Sequence, residues 1–247
     1  MAKKIAIMQP YFFPYLGYFQ MIAAADVFVL YDDIQFISRG WINRNKILIN
    51  GDGMFITLPV KNDNHTLKIH ERYFSDDFPR EIEKILRGIY LSYARAPYFR
   101  EVFPVLESII KFPQQNVSLY IENSIRTICN YLDISTEILV SSRLGIGNDL
   151  HGKQRVLKII KELGGGISIN PIGGVDLYSC EEFLQHGVTL KFIKMHDICY
   201  RQYGNRFVPR LSIIDVLMFN KIPEVHQKLL RYSLEDNCGN PVYDVLN

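Results

Sequence analysis

Cysteines and metal-ligand patterns are scarce in this sequence. Its 247 residues include four cysteines, which are widely scattered and form no C-x-x-C pair. This spacing excludes the common zinc and dithiol motifs and predicts reduced, mostly buried thiols. Histidines and carboxylates also lack the spacing of metal ligands on a helix. We therefore predict no metal site and no tightly bound cofactor.

Neither charge nor long apolar runs dominate the chain. The formal net charge is +2 and 22% of the residues are charged, which argues against the strong basic field that nucleic-acid binding requires. No stretch reaches the roughly 18 apolar residues of a membrane span. The opening residues MAKK lead straight into a strand without a signal-peptide core. We expect a cytoplasmic protein that neither inserts into a membrane nor binds nucleic acid.

Short apolar runs alternate with helical periodicity along the chain. The runs are KIAIM, DVFVLY, TEILVSS, GISIN and VTLKFIK, and such runs are typical of strands buried on both faces of a parallel sheet. Amphipathic stretches at 14–25, 151–164 and 178–186 lie between several of them. The pattern predicts an α/β fold with a Rossmann-like parallel sheet flanked by helices.

Two segments interrupt this alternation. A hairpin around Asn50-Gly51-Asp52-Gly53 is followed by helices near 79–94, 99–112 and 116–132, which predicts an insertion over 47–135 that covers the sheet. Near the end, LSIIDVLMFN and PEVHQKLLRYSL predict two helices separated at Pro223. We therefore predict one α/β domain over 1–197 and a helical C-terminal appendage over 198–247.

The turn after the first strand, QPYFFPYLGY, is rich in aromatic rings. Ligands of open parallel sheets bind beyond the carboxyl ends of the strands, so this turn is a candidate binding site. Two prolines make it rigid, and Gly17 is expected to leave a gap where a ligand or another backbone segment can approach closely. Packing is the favoured interpretation for the phenylalanines, whereas tyrosine hydroxyls require polar partners. The candidates are Gln9, Pro10, Tyr11, Phe12, Tyr15, Gly17 and, as a hydrogen-bond donor to a reacting carbonyl, Tyr18.

A second group of polar residues, YDDIQFISRGWINRNK, follows the second strand and is expected at the same edge of the sheet. We expect Asp32 or Asp33 to act as a general base on an incoming ammonium group. Arg44 is predicted to pair with a phosphate or carboxylate, and Trp41 to stack on a base or sugar. Further binding candidates here are Gln35, Asn43 and Asn45. The alternative is a polar surface loop that leads into the hairpin.

Later segments supply weaker candidates. His65 lies near Lys61 and Asp63 in the sequence and is a candidate acid or base, with an ordinary surface histidine as the alternative. The start of the helix over 151–164 and the PIGGV turn at 171–175 are also positioned to meet a ligand. A solvated charged helix face is the favoured interpretation of the first segment, and a plain strand-to-helix connection is the alternative for the second.

The aromatic turn resembles a phosphate-binding loop. Tyr15-Leu16-Gly17-Tyr18 is similar to the H-x-G-H motif of nucleotidylyltransferases and pantothenate synthetases, where histidines and a helix N-terminus bind phosphates. Tyrosines stand in place of both histidines here, and tyrosine carries no positive charge near neutral pH. The segment SSRLG is similar to a second phosphate loop of those enzymes. It adds Ser141, Ser142 and Arg143 as phosphate-binding candidates.

At whole-chain level the sequence resembles the WbqC-like protein family. The segments that carry the resemblance are IAIMQPYFFPYLGYFQMI, ADVFVLYDDIQFISRGWINRNKI, LPV, KQRVLKIIKELGG and LSIIDVLMFN. Members of this family are associated with genes for O-antigen and other surface polysaccharides. The resemblance implies amide-forming transfer of an aminoacyl (glycyl) or acyl group to the amino group of a nucleotide-linked deoxyamino sugar.

Three functions are consistent with the sequence. The first is the transferase just described, with an acyl carrier as a candidate partner if the donor is a thioester. The second is an adenylate-forming ligase that uses ATP with Mg as a substrate. The third is a non-catalytic protein that binds a nucleotide or a nucleotide sugar, and the two missing histidines favour it. The sequence defines no oligomeric state.

Overall fold

A computed structural model describes residues 1–204 and 206–236. That part of the chain forms the strands β1 Lys3–Met8, β2 Val27–Leu30, β3 Arg44–Ile49, β4 Asp52–Thr57, β5 Glu137–Val140, β6 Gly165–Pro171, β7 Thr189–Met195 and β8 Tyr232–Glu235. Six strands make one sheet in the order β5-β2-β1-β6-β7-β8, and β3 and β4 make a separate hairpin. Neighbours in the large sheet are parallel except β7 and β8. The predicted Rossmann-like α/β fold is confirmed.

Helices flank the sheet and join its strands. They are α1 Leu16–Ala24, α2 Phe78–Tyr93, α3 Phe99–Ile110, α4 Val117–Tyr131, α5 Ser141–Leu144, α6 Gly152–Glu162, α7 Cys180–Gln185, α8 Ile213–Phe219 and α9 Ile222–Leu229. Short 3-10 turns lie at Ile69–Glu71 and Ile172–Leu177. Every helix expected from periodicity is present. None of the described helices combines the length and the apolar character needed to cross a membrane.

The sheet separates two hydrophobic cores. Ile5 and Val27 pack in one core together with residues of α6 and α7. Ala6 and Phe28, the next residues along each strand, pack in the other core with α1 and the helices of the insertion. Successive side chains of a strand point to opposite faces. Both faces of β1 and β2 are therefore buried, which explains their uninterrupted apolar sequences.

The predicted insertion lies between β2 and β5. Its hairpin turns at Asn50 and Gly51, which adopt positive φ angles of 52° and 88°, as tight two-residue hairpins require. The helices α2, α3 and α4 follow, and their apolar faces pack into the core that contains α1. The amide of Leu48 in β3 donates a hydrogen bond to Tyr93 Oη in α2 over 2.8 Å. The hairpin is thereby tied to the inserted helices.

The end of the described chain differs from its prediction. The segment 223–234 was expected to be one helix, but α9 stops at Leu229 and Tyr232–Glu235 form the edge strand β8. Gln20 Nε2 of α1 donates hydrogen bonds to the carbonyl oxygens of Lys228 and Arg231, over 2.8 and 3.1 Å. These bonds satisfy carbonyls at the helix end, and β8 then covers the otherwise open edge of β7. Residue 205 and residues 237–247 of the predicted appendage lie outside the described residues, and the boundary at 197 stays a prediction.

Candidate functional site

The aromatic turn is a buried segment held from two sides. Phe12 and Phe13 are fully buried, and Phe13 has a positive φ of 41°. Asn45 Nδ2 donates to the carbonyl oxygens of Phe12 and Phe13 over 3.1 and 2.9 Å. Ser212 Oγ donates to the Phe13 carbonyl over 2.8 Å. A rare backbone conformation persists only where its surroundings hold it, so Asn45 positions the turn.

Two phenols of the turn face its interior. Tyr18 is 2% exposed and donates a hydrogen bond to the carbonyl of Gln9 over 2.8 Å. Burial raises the pKa of Tyr18 well above its usual value. The Tyr11 ring lies 5.6 Å from the Tyr18 ring, and burial raises the pKa of Tyr11 to about 12. Both phenols are therefore neutral near physiological pH, and the Tyr18 hydroxyl is already used by the backbone.

The space above Gly17 is occupied by the protein itself. A Cβ atom built on Gly17 would lie 2.4 Å from Cε2 of Tyr15. The expectation of an open gap at this glycine was wrong, because the Tyr15 ring folds back over the first turn of α1. Burial also raises the pKa of Tyr15, with a smaller opposing effect of Arg210. The glycine is explained by this close approach of an aromatic ring.

A buried polar cluster joins the carboxyl ends of β2 and β5. Asp32 accepts hydrogen bonds from Ser118 Oγ over 2.7 Å and from the amide and Oγ of Ser142 over 3.0 and 2.9 Å. Ser141 Oγ donates to Asp33 over 2.6 Å and accepts from the Asp32 amide over 3.1 Å. Both carboxylates are buried. This arrangement fixes the two strand ends, and the role of Asp32 or Asp33 as a general base stays a prediction.

Arginines near this cluster have carboxylate partners. Arg155 of α6 is buried and forms an ion pair with Asp33. Its guanidinium carbon lies 5.7 Å from the centre of the Tyr31 ring. Arg143, predicted to bind phosphate, pairs with Glu122. Its phosphate-binding role stays a prediction that would require the anion to compete with this carboxylate.

A cavity of about 590 Å³ lies between two segments of the inserted region. Its walls come from the loop over 35–43 and from the segment over 57–65 that follows β4. Gln35 Nε2 donates to the carbonyl of His65 over 3.1 Å, and Asn43 Nδ2 donates to the carbonyl of Leu58 over 2.7 Å. These two bonds link the walls. The charged and titratable residues of the lining are Arg39, Lys61, Asp63, His65 and Arg72.

Arg72 is the most buried of these charged residues. It is 5% exposed, and its guanidinium lies 5.1 Å from the centre of the Phe36 ring. Among residues 1–204 and 206–236, its side chain has no hydrogen bond and no ion pair. Its backbone is fixed, because its amide donates to Ile69 and its carbonyl accepts from Val117. Arg72 is therefore a buried cation of the cavity lining that has no counter-ion in the part of the chain that the structure describes.

The loop residues Arg44 and Trp41 lie beside the hairpin. Arg44 donates through Nε to the carbonyl of Gly40 over 3.0 Å and through Nη2 to that of Arg39. Its guanidinium also stacks on Phe55, 4.4 Å from the ring centre. Trp41 is 42% exposed and its ring lies 5.9 Å from that of Phe55. Arg44 thus holds the loop in place, while Trp41 leaves a ring face open to solvent.

Apart from Trp41 and Arg44 beside the hairpin and Arg143 at Glu122, the structure distributes the predicted site residues over three places. Gln35, Asn43 and His65 meet at the cavity. The two aspartates and two serines meet in the polar cluster, and Gln9 to Tyr18 form the aromatic turn with Asn45. Sequence reasoning did not single out Arg72, whose segment HERYF carries no signal that its arginine is unpaired. Such a signal exists only in the distances to other parts of the chain.

These features define a doubly wound α/β protein with a polar, cation-lined cavity between a loop and an inserted hairpin. The chain belongs to the WbqC-like protein family, whose family model matches residues 9–227. This match covers the aromatic turn, the cavity, the polar cluster and α8.

A mycobacterial protein is also similar to part of the chain. "Uncharacterized protein Rv1507c" of Mycobacterium tuberculosis (strain ATCC 25618 / H37Rv) is 36% identical over 138 residues. The match covers 55% of this chain and 59% of the mycobacterial protein. No solved structure matches the chain. The name of this relative assigns no activity.

Proposed function

We propose that the protein transfers an aminoacyl (glycyl) or acyl group to the amino group of a nucleotide-linked deoxyamino sugar bound in the cavity. The cavity between the 35–43 loop and the hairpin carries this proposal. Its volume of about 590 Å³ lies within the range of small-molecule sites. Amides, three cationic side chains and an imidazole line it together, which suits a ligand with hydroxyl groups, phosphates and a reacting amine.

The cationic residues account for phosphate binding in this proposal. Arg72 and Lys61 lie on the same wall, because the amide of Lys61 donates to the carbonyl of Tyr73 over 2.9 Å. A guanidinium matches two phosphate oxygens, and an ammonium group adds a point charge. Gln35 and Asn43 fix the opposite wall through their bonds to His65 and Leu58. Trp41, with its exposed ring, offers a stacking surface for a base outside the cavity.

The chemistry needs a base and an activated donor. The sugar ammonium loses a proton to His65, an exposed imidazole of the cavity lining, and the free amine attacks the carbonyl carbon of a thioester or acyl adenylate. The new C–N bond forms as the bond to the leaving group breaks, the second amine proton passes to the departing thiolate or to solvent, and the thiol or AMP leaves. His65 is a better choice than Asp32 or Asp33, because both carboxylates are buried and already accept hydrogen bonds from neighbouring side chains.

Non-catalytic binding is the second candidate. Tyr15 and Tyr18 occupy the positions of the two histidines in the H-x-G-H motif, and Tyr18 donates to the carbonyl of Gln9. This observation favours a protein that binds a nucleotide sugar without activating a carboxyl group. It also argues against adenylate formation at the aromatic turn. ATP with Mg is nevertheless included as a substrate in the experiment below.

Mass spectrometry of the nucleotide sugar tests the proposal. The protein is incubated with a panel of nucleotide-linked amino sugars and either acyl thioesters or glycine with ATP and Mg. We expect the mass of one acyl group to be added to a sugar amine, and we expect His65→Gln to lower kcat by about 10²–10⁴-fold, the usual effect of a general base. His186→Gln is the matched control, because His186 lies in a different surface groove, beside α6 and α7.

The outcomes separate the candidates. A product formed only with ATP and glycine would mean that this protein itself activates the glycine carboxyl group. Binding of a nucleotide sugar, detected as a rise in melting temperature, without product from any donor would favour the non-catalytic function. A product whose rate is unchanged in His65→Gln would reject the imidazole as the base.

A further inference from the structure

We infer that Arg72 forms an anion-binding subsite of the cavity, which holds an oxyanion group of the ligand such as a phosphoryl group. The assignment of the anion to a phosphoryl group rests on the proposed function. The subsite itself rests on the geometry of the arginine alone.

Arg72 has no counter-ion among residues 1–204 and 206–236. Arg72 is buried and its Nε has no hydrogen-bond partner among the described residues. Its terminal nitrogens have no acceptor there either, and the residue contributes to the cavity lining. A buried charge without a partner is costly. Such a cost is explained when a ligand supplies the opposite charge.

A comparison within the molecule supports this argument. Arg72 and Arg155 are the two buried arginines among the described residues. Arg155 pairs with Asp33. Of these two buried arginines, Arg72 is the one without a carboxylate partner among residues 1–204 and 206–236.

The guanidinium is also held in place before any ligand arrives. The Phe36 ring supports it at 5.1 Å. The backbone is clamped between Ile69 and Val117, through hydrogen bonds of 3.1 and 2.9 Å. Asn116, which caps α4, donates to the carbonyl of His70 over 2.6 Å and fixes the preceding turn. Preorganised cations of this kind bind oxyanions with a small loss of conformational entropy.

Two sources of oxyanion fit this chemistry. A phosphoryl group would come from the nucleotide part of the acceptor, and a carboxylate would come from a free amino acid. Lys61 on the same wall adds a second positive charge, whereas Asp63 is the acidic residue of the lining. The excess of positive charge favours the group with the higher negative charge, which is the phosphoryl group.

Pyrophosphate and glycine serve as probes in a titration at constant ionic strength. We expect pyrophosphate to raise the melting temperature of the wild type in a saturable manner, and glycine to have a much smaller effect. Arg72→Met is expected to weaken pyrophosphate binding at least tenfold, and Arg72→Lys by a smaller factor. Arg87→Met is the control, because Arg87 is exposed on α2.

A second measurement separates a ligand role from a structural role. In buffer without multivalent anions, Arg72→Met is expected to melt no lower than the wild type, because it removes an unpaired buried charge. Equal stabilisation of Arg72→Met and the wild type by pyrophosphate would overturn the inference. A lower melting temperature of Arg72→Met without anions, together with no response of the wild type to either probe, would also overturn it.

The two proposals fail separately. Arginine-dependent pyrophosphate binding without any acyl transfer would retain the anion subsite and reject the transferase. Acyl transfer whose KM for the nucleotide sugar is unchanged in Arg72→Met and Arg72→Lys would retain the transferase and reject the subsite. A stronger response to glycine than to pyrophosphate, lost in Arg72→Met, would keep the oxyanion subsite and assign it to a carboxylate.

Discussion

Asn45 holds the aromatic turn, and the loss of unfolding free energy in Asn45→Ala measures how much this side chain stabilises the fold. Its Nδ2 donates to two carbonyls, those of Phe12 and Phe13. In Asn45→Ala the Phe12 carbonyl keeps no side-chain donor, and leaving a buried acceptor unsatisfied costs about 1–3 kcal/mol. The Phe13 carbonyl keeps its bond from Ser212, so the loss there is about 1 kcal/mol. We expect the free energy of unfolding to fall by about 2–4 kcal/mol in total.

Urea unfolding followed by two probes is the appropriate assay. Circular dichroism reports the whole fold, and the single tryptophan, Trp41, reports the turn, because the Phe12 amide donates to the Trp41 carbonyl over 3.4 Å. Coincident transitions justify a two-state analysis. Asn43→Ala is the matched control, since it removes one hydrogen bond to Leu58 from a half-buried asparagine and should cost only about 1 kcal/mol.

A double-mutant cycle sharpens this prediction. Asn45 and Ser212 both donate to the Phe13 carbonyl, so removing both leaves that buried oxygen without a side-chain donor. Asn45→Ala with Ser212→Ala should therefore be more destabilising than the sum of the single changes, by about 0.5–3 kcal/mol. A loss below about 0.5 kcal/mol for Asn45→Ala, the range of neutral surface changes, would refute the reasoning.

Two further predictions concern buried carboxylates. Asp33→Asn removes the charge that balances Arg155, and urea unfolding should show a loss of about 3–5 kcal/mol, as for other broken buried ion pairs. Asp215 accepts hydrogen bonds from Tyr93, Tyr200 and Gln202, but burial dominates and raises its pKa. The folded state therefore binds the Asp215 proton more tightly than the unfolded state does. The stabilisation that results is fully present below the unfolded pKa of about 3.9. It is lost as the pH rises through the higher pKa of the folded state.

Matched variants test both of these predictions. Glu107→Gln breaks the exposed pair with Lys111 and should cost less than about 1 kcal/mol, so a similar cost for Asp33→Asn would contradict the burial argument. For Asp215, the unfolding free energy of the wild type relative to Asp215→Asn should fall as pH rises from about 4. A difference that rises over this window would mean that the three hydrogen bonds outweigh burial.

Apolar periodicity was sufficient to predict the five parallel strands of the large sheet and the longer helices that flank it. The runs KIAIM and DVFVLY became β1 and β2 because both faces of each are covered by helices. The Asn-Gly pair at 50–51 correctly predicted the hairpin, because the turn needs positive φ angles and these two residue types adopt them readily. The end of the chain was less predictable, since β8 depends on the free edge of β7 and on the Gln20 side chain at the end of α9.

The sequence by itself determined the α/β class, the hairpin at Asn50-Gly51 and the residue types available for chemistry. Only the tertiary structure decided which polar residues bind one another and which face open space. Tyr15 fills the space above Gly17, and Asn45 turns inward to the aromatic turn. Asp33 acquires a partner in Arg155, 122 positions away in the chain, whereas Arg72 acquires none among the described residues. Pairing of charges depends on distances of a few ångströms between segments remote in sequence, and local patterns do not encode those distances.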